Sequence, residues 1–211
     1  RMETYESSAG EVTAIVDFAH NGLSFEKMFD TVALEYPGSR VSVVFGTPGG
    51  KAFNRRKDMG EISGKRADRI FLLVPDDPGN EDPQAICEEI GGYIAKEGAS
   101  FQIRMDRGAA IREAILGAVP GEVVLILGKG ADVTMHVGNR NVPYRSDAVY
   151  AKEALAEYGN AFAEVKQKNR SKNRKNRAKK TRNRKIRVFF ASGGSRNENQ
   201  TGNLADTSYK M

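Results

Sequence analysis

Polar and glycine-rich segments recur along this sequence, and each directly follows a short apolar run. The carboxylate, ammonium, guanidinium and imidazole groups in these segments can bind phosphates, amino groups or carboxylates. Turn formation and helix capping explain any one segment equally well, because Gly, Asp and Asn favour turns. Five segments together favour a ligand site. They lie at residues 17–21, 46–57, 76–82, 106–107 and 128–132.

Three common kinds of site do not fit these segments. The Gly-Lys pairs that begin at positions 50, 64 and 128 lack the earlier Gly and the following Ser or Thr of a phosphate-binding P-loop. Gly128-x-Gly130 lacks the third Gly of a dinucleotide fingerprint. His20, His136 and the single cysteine, Cys87, do not make a zinc set, and no metal site is predicted. Cys87 is expected to be a buried residue that packs in the core.

The elements that position the segments alternate between strand and helix. Runs of β-branched and apolar residues predict strands at 12–17, 41–46, 69–74, 100–105 and 123–127. Apolar residues at helical spacing predict helices at 24–36, 57–65, 83–96 and 107–118. Residues 134–137 and 141–144 flank a turn and predict a hairpin, and a last helix is predicted from Ser146, its N-cap, to Tyr158.

This order of elements predicts an α/β fold with a Rossmann-like, mostly parallel sheet, crossover helices and a C-terminal β-hairpin. In such sheets, ligands bind outside the carboxyl ends of the strands. All five polar segments follow strands, so the sequence predicts that they meet at one edge of the sheet.

The charge of this 211-residue chain is divided unevenly along it. The whole chain has a formal net charge of +6, but residues 1–165 carry −7 and residues 166–211 carry +13. Residues 166–187 contain 13 Lys or Arg, no acidic residue and almost nothing apolar, so they cannot form a core. We therefore predict a domain at 1–160 and a basic low-complexity tail at 161–211, disordered or at most a charged helical extension.

The single cysteine suits a reducing compartment. No apolar run approaches the length of a membrane span, and the first dozen residues lack the pattern of a signal peptide. A cytoplasmic location without membrane contact is therefore predicted. The first residue is Arg rather than Met, and a start further upstream is expected.

Five of these segments, taken in order, resemble the third, C-terminal domain of the MurE-type Mur ligases. The resemblance covers about residues 1–158, and the basic tail has no counterpart in the family. The matching segments are Val16-Asp17-Phe18-Ala19-His20, residues 46–60, Asp76-Asp77-Pro78, Asp106-Arg107 and Gly128-Lys129-Gly130.

The resemblance implies an ATP-dependent amide ligase of peptidoglycan synthesis. Such an enzyme adds an amino acid to UDP-N-acetylmuramoyl-L-alanyl-D-glutamate through an acyl phosphate. ATP and Mg²⁺ are the implied cofactors, bound mainly by a central domain that these residues do not contain. The N-terminal and central ligase domains are the implied partners, and the chain alone is expected to be inactive.

By the same resemblance, three residues face the nucleotide. Arg1 and Asp17 are the implied catalytic residues: Arg1 neutralises phosphate charge, and Asp17 holds the ribose or positions the nucleotide. His20 lies against the nucleotide, and a capping or packing role is its alternative.

The amino-acid pocket implied by the resemblance uses the second, third and fifth segments. Lys51, or else Arg55 or Arg56, pairs with the α-carboxylate of the incoming amino acid. Gly79 stands where ligases that select meso-diaminopimelate carry Arg, and its lack of a cation favours a terminal ammonium, as in L-lysine. The remaining pocket residues are Asp76, Asp77, Gly128 and Asp132, the last replacing a Glu of the family.

Two alternatives concern the basic tail. The chain could be a non-catalytic α/β domain whose tail binds nucleic acid, since 13 cations in 22 residues attract phosphates without sequence specificity. No aromatic residue lies between 166 and 187 to stack on bases. The tail could also be sequence foreign to a genuine ligase domain.

Overall fold

A computed structural model describes residues 2–8, 10–51, 53–73 and 77–192. The predicted site residues Arg1 and Asp76 lie outside these ranges. The chain divides into two units, residues 1–163 and residues 164–211. The first contains every strand that the structure describes and the core, and the second is described as helix as far as Ser192.

The first unit is built on a six-stranded sheet in the order β1-β2-β6-β3-β4-β5, in which β1 alone among the described strands runs antiparallel to its neighbour. A separate hairpin of β7 and β8 follows. The strands are β1 Glu3–Glu6, β2 Val12–Asp17, β3 Val41–Phe45, β4 Arg69–Leu73, β5 Gln102–Arg104, β6 Glu122–Leu127, β7 Thr134–Val137 and β8 Arg140–Pro143.

Helices cover both faces of the sheet, which is why its central strands are apolar on both sides. One face packs Val43 and Leu125 against the first three helices, and the other packs Val124 and Ile126 against the last two. The helices are α1 Gly22–Glu35, α2 Phe53–Arg66, α3 Pro83–Lys96, α4 Arg107–Leu116 and α5 Asp147–Ser192.

The predicted α/β fold is confirmed, with the hairpin in the predicted place. Strand β1 was not predicted, because Glu3, Thr4 and Glu6 are exposed and carry no apolar pattern. They form a strand through pairing with β2, in which Glu3 lies opposite Val16.

The last helix is far longer than predicted, since α5 runs to Ser192 instead of ending at Tyr158. Residues 161–192 are therefore not described as a disordered tail. They form a charged helical extension, which was the second alternative predicted from the sequence. The stretch contains no Gly or Pro before Ser192, and Lys, Arg, Gln and Ala favour helix even where no core supports them. Within the residues that the structure describes, no helix is long and apolar enough to cross a membrane.

Candidate functional site

The carboxyl ends of five parallel strands carry the predicted polar loops along one edge of the sheet. The first and last of these loops are joined by their backbones. Asp17 ends β2, and its Oδ1 accepts a hydrogen bond from Ala19 N at 2.8 Å. Its carbonyl accepts one from Gly128 N at 3.1 Å, directly after β6. Gly128 is buried, so the first and fifth loops are held together at the base of the candidate site.

His20 is held by the same loop. Its Nδ1 lies 2.7 Å from the Phe18 carbonyl oxygen, and its ring packs edge-on against the Phe18 ring, 4.8 Å between centroids. A carbonyl only accepts, so this contact requires the proton on Nδ1. Nε2 is then the acceptor of the neutral ring. His20 N donates to Ser24 Oγ at 3.1 Å, at the start of α1.

A buried arginine ties the second loop to the third. Arg56 is 1% exposed, and its two Nη atoms donate to Glu81 at 2.8 and 2.7 Å, with Nη1 also donating to Glu89 at 2.6 Å. Gly50 N donates to Glu81 Oε2 at 2.7 Å. The hydrogen bonds from Arg56 and then Gly50 lower the pKa of Glu81 to about 2. Arg56 is therefore engaged within the fold and is not the predicted partner of a substrate carboxylate.

Gly49 brings the same two loops into direct backbone contact. Its N–H donates to the Asp77 carbonyl at 2.8 Å, and a Cβ at this position would lie 1.9 Å from the Pro78 carbonyl oxygen. No side chain fits that gap without moving one loop away from the other.

Gly49→Ala is therefore expected to lower the free energy of unfolding by about 1–3 kcal/mol, the usual cost of overpacking. Urea unfolding of the whole chain measures the change. Gly92→Ala is the matched control, because a Cβ at Gly92 of α3 meets nothing within 4 Å and replaces glycine inside a helix. A Gly49→Ala chain as stable as the parent would mean that the two loops are not in contact in solution.

Two of the predicted pocket carboxylates converge on a buried lysine. Lys129 is 2% exposed, and its Nζ lies 3.4 Å from Asp77 Oδ1 and 3.6 Å from Asp132 Oδ2. Asp77 Oδ1 also accepts from His136 N of β7 at 2.7 Å. The Tyr144 ring lies 6.0 Å from the same ammonium. We refer to Asp77, Lys129 and Asp132 as the lysine cluster.

Sequence reasoning did not single out Lys129, because its partner Asp77 lies 52 positions earlier. A buried ammonium normally requires opposite charge nearby, which Asp77 and Asp132 supply to Lys129. The carboxylates in turn are held in place and partly neutralised by Lys129.

The other predicted cations of the pocket are accessible. Lys51 is exposed at the end of the second loop, and Arg55 is half-buried in the first turn of α2. Neither makes a hydrogen bond or ion pair among the described residues, so either can meet a carboxylate. Gly79 has a φ of +57°, and a Cβ there meets nothing within 4 Å. Its carbonyl accepts from Gly138 N at 2.9 Å, which docks the hairpin on the third loop.

A buried ion pair beneath the site was also missed from the sequence. Arg107, the first residue of α4, donates from Nε and Nη2 to the two oxygens of Asp147, both at 2.7 Å, and from Nη2 to the Leu127 carbonyl at 3.1 Å. Tyr144 donates to Asp147 Oδ1 at 2.6 Å. Burial raises the pKa of Tyr144, which keeps the phenol protonated. The pair connects α4 and α5 with the end of β6.

Neither metal nor thiol chemistry has support in the described part of the chain. No group of three His, Cys, Asp or Glu side chains there could hold a metal ion. Cys87 is fully buried in the core, as expected, and burial raises the pKa of its thiol to about 12. The site therefore offers carboxylates, ammonium and guanidinium groups and one imidazole.

A family profile described as "Mur ligase, glutamate ligase domain" matches residues 1–130. A UDP-N-acetylmuramyl-tripeptide synthetase of Lactobacillus acidophilus is 39% identical over 157 residues, which cover 74% of this chain and 30% of that protein. A UDP-N-acetylmuramoyl-L-alanyl-D-glutamate–L-lysine ligase of Enterococcus faecalis is 38% identical over 152 residues, which cover 72% of this chain and 29% of that protein. The chain thus spans less than a third of the length of these relatives.

Solved structures agree on the fold. A UDP-N-acetylmuramoyl-L-alanyl-D-glutamate–2,6-diaminopimelate ligase superposes with a TM-score of 0.66 at 24% identity, covering 74% of this chain and 31% of that chain. A murein peptide ligase of Psychrobacter arcticus superposes with a TM-score of 0.51 at 15% identity, and the match covers 71% of this chain and 28% of that chain.

Proposed function

This chain belongs to the Mur ligase family, and from that membership we propose that it is the amino-acid-adding C-terminal domain of an ATP-dependent ligase in peptidoglycan synthesis. The proposed reaction joins L-lysine to UDP-N-acetylmuramoyl-L-alanyl-D-glutamate in the cytoplasm. The relatives named for that product and that amino acid, at 39% and 38% identity, support it.

The observation that carries the choice of L-lysine is the absence of a cation at Gly79 beside the lysine cluster. The cluster contains two carboxylates and one ammonium, so its described charges sum to −1. The ε-ammonium of L-lysine would balance that charge, and Lys51 or Arg55 is free to pair with the α-carboxylate. A second carboxylate, as in diaminopimelate, would enter this acidic pocket with no cation at position 79 to meet it.

On the nucleotide side, we assign roles to Arg1, Asp17 and His20. Asp17 Oδ1 caps the loop through Ala19 N, and the second carboxylate oxygen is left to hold a ribose hydroxyl or orient the nucleotide. Nε2 of His20 is left to accept a hydrogen bond. We assign ATP phosphates and Mg²⁺ mainly to the central domain of such a ligase, because this sequence has no P-loop.

A chimera tests the proposal. Residues 1–163 would replace the matching segment of the E. faecalis ligase, and product formation from ATP, L-lysine and the UDP-muramoyl dipeptide would be measured. We expect the chimera to form the tripeptide nucleotide and the isolated 211-residue chain to form none. A correctly folded chimera that bound the nucleotide substrates but used no amino acid would contradict the proposal.

Amino-acid choice gives a quantitative prediction in the same chimera. We expect kcat/KM for L-lysine to exceed that for meso-diaminopimelate by at least about 30-fold, the scale set by an unpaired charge in the pocket. Gly79→Arg should lower this ratio of kcat/KM values, because the arginine supplies the missing cation for the second carboxylate of diaminopimelate.

Gly79→Ala is the matched control for this substitution. Because a Cβ at position 79 meets nothing within 4 Å, both variants share the cost of a left-handed backbone, about 1–2 kcal/mol. The alanine variant should therefore lose stability like the arginine variant while keeping the lysine preference. A parent chimera that used both amino acids equally would refute the proposed pocket.

A further inference from the structure

The second unit of the chain carries a charge that the ligase proposal does not use. Residues 166–187 hold 13 Lys or Arg and no Asp or Glu. The structure describes them as part of α5, and the described side chains from Lys166 to Thr181 are exposed. Lys168 pairs with Glu164 at 3.8 Å, ahead of the basic stretch, and the stretch itself contains no acidic residue.

Between Lys168 and Lys179, the residue types of this helix are sorted onto different faces. Residues four and three positions apart share one face of an α-helix. A lysine row, an arginine row and an asparagine row each follow that spacing. The lysine row is Lys168, Lys172, Lys175 and Lys179; the arginine row is Arg170, Arg174 and Arg177; the asparagine row is Asn169, Asn173 and Asn176.

The rows form two distinct surfaces. Two positions along a helix correspond to a rotation of about 200°, so the arginine row lies nearly opposite the lysine row. One shallow groove in the structure is lined by Arg170, Asn173, Arg174, Asn176, Arg177 and Lys180. A second is lined by Glu164, Gln167, Lys168, Ser171, Lys172 and Lys175. The first, the Arg/Asn face, combines guanidinium and amide groups with one ammonium, whereas the cations of the second are all ammonium groups.

We propose that residues 166–187 bind double-stranded DNA, with the Arg/Asn face in the major groove and the lysine row on the side of the helix away from the bases. A helix is about 10–12 Å wide and the major groove about 12 Å wide. The 22 residues extend over about 33 Å, close to one turn of B-form DNA. Arginine and asparagine are the side chains whose paired hydrogen bonds suit guanine and adenine edges.

An anionic membrane fits this helix less well. A helix that lies in a lipid surface needs a continuous apolar face. Between Lys166 and Arg187 the sequence has two apolar residues, Ala178 and Ile186, which are eight positions apart and make no continuous apolar face.

The test uses the whole 211-residue chain and a labelled DNA duplex of about 20 base pairs in fluorescence anisotropy. We expect micromolar binding that weakens steeply between about 50 and 200 mM salt, because bound phosphates release counterions. Vesicles containing phosphatidylserine and an RNA duplex are the competing ligands. Equal or tighter binding to either of them would overturn the proposal.

Two variants of equal charge separate groove binding from simple polycation behaviour. The variant R170Q/R174Q/R177Q removes three cations from the Arg/Asn face, and K168Q/K172Q/K175Q removes three from the lysine face. Glutamine is a good helix former, so both should remain helical by circular dichroism. We expect about a 10-fold or larger loss of affinity for the arginine variant and a loss at least about threefold smaller for the lysine variant. Equal losses would overturn the proposed orientation and the proposal with it.

Discussion

Replacing Asp147 with alanine is expected to lower the free energy of unfolding by about 3–5 kcal/mol, the cost of leaving one partner of a buried ion pair alone. Asp147 is fully buried and accepts two hydrogen bonds from the Arg107 guanidinium. Its loss would also leave the Tyr144 hydroxyl without this acceptor. Urea unfolding monitored by near-ultraviolet circular dichroism reports the change for the packed first unit.

Glu157→Ala is the control for Asp147→Ala. Glu157 also pairs with an arginine, Arg112, but both side chains are about half exposed, so about 0–1 kcal/mol is expected. A double variant, Arg107→Met with Asp147→Leu, removes both charges and should be more stable than Asp147→Ala alone. If Asp147→Ala and Glu157→Ala cost the same, the pair is not buried in solution as the structure has it.

Loss of the Asp17 carboxylate is expected to lower turnover of the chimeric ligase by about 10²-fold, the scale of one preorganised electrostatic contact. Arg1→Ala should have an effect of similar size, because its proposed role is to neutralise phosphate charge. Turnover is measured at saturating L-lysine with varied ATP. Near-normal turnover in both Asp17→Ala and Arg1→Ala would remove the nucleotide assignment.

The variant Asp17→Asn separates the two proposed roles of Asp17, which are its negative charge and its hydrogen bond within the loop. Asparagine keeps an Oδ1 that accepts from Ala19 N, so Asp17→Asn preserves the loop while removing the charge. We expect Asp17→Asn to be nearly as impaired as Asp17→Ala. If Asp17→Asn retained parental turnover, the residue would act only through the shape of the loop.

Local patterns made much of the fold predictable. The bounds of α3 were predicted without error because Pro83 stands in its first turn and Asp82 caps it, both readable from neighbours in the sequence. Strand β1 was missed because its only reason to be a strand is the edge of β2 beside it. The end of α5 was missed because the apolar spacing stops at the core while helix propensity continues.

The position of the candidate site was predictable from the sequence, but the contacts between its residues were not. The five loops were assigned to one edge because parallel strands end together. Arg56 was one of three alternatives, with Lys51 and Arg55, for the cation that pairs with a substrate carboxylate. Glu81 and Glu89, on a different loop and helix, pair with it instead. Lys129 and Asp77, like Arg107 and Asp147, pair across 52 and 40 positions. No local spacing encodes such pairs, because tertiary packing brings them together.

The open space at Gly79 has an evolutionary consequence. Glycine and arginine codons can differ by a single base, and a Cβ added at this position meets no neighbour within 4 Å. Backbone strain of about 1–2 kcal/mol opposes the change, because φ at Gly79 is positive. Under the proposed role of position 79, a change in the added amino acid requires a change at this one position, while the rest of the sheet, its helices and the buried ion pairs stay as they are. The two proposed substrate preferences are then separated by few intermediate sequences.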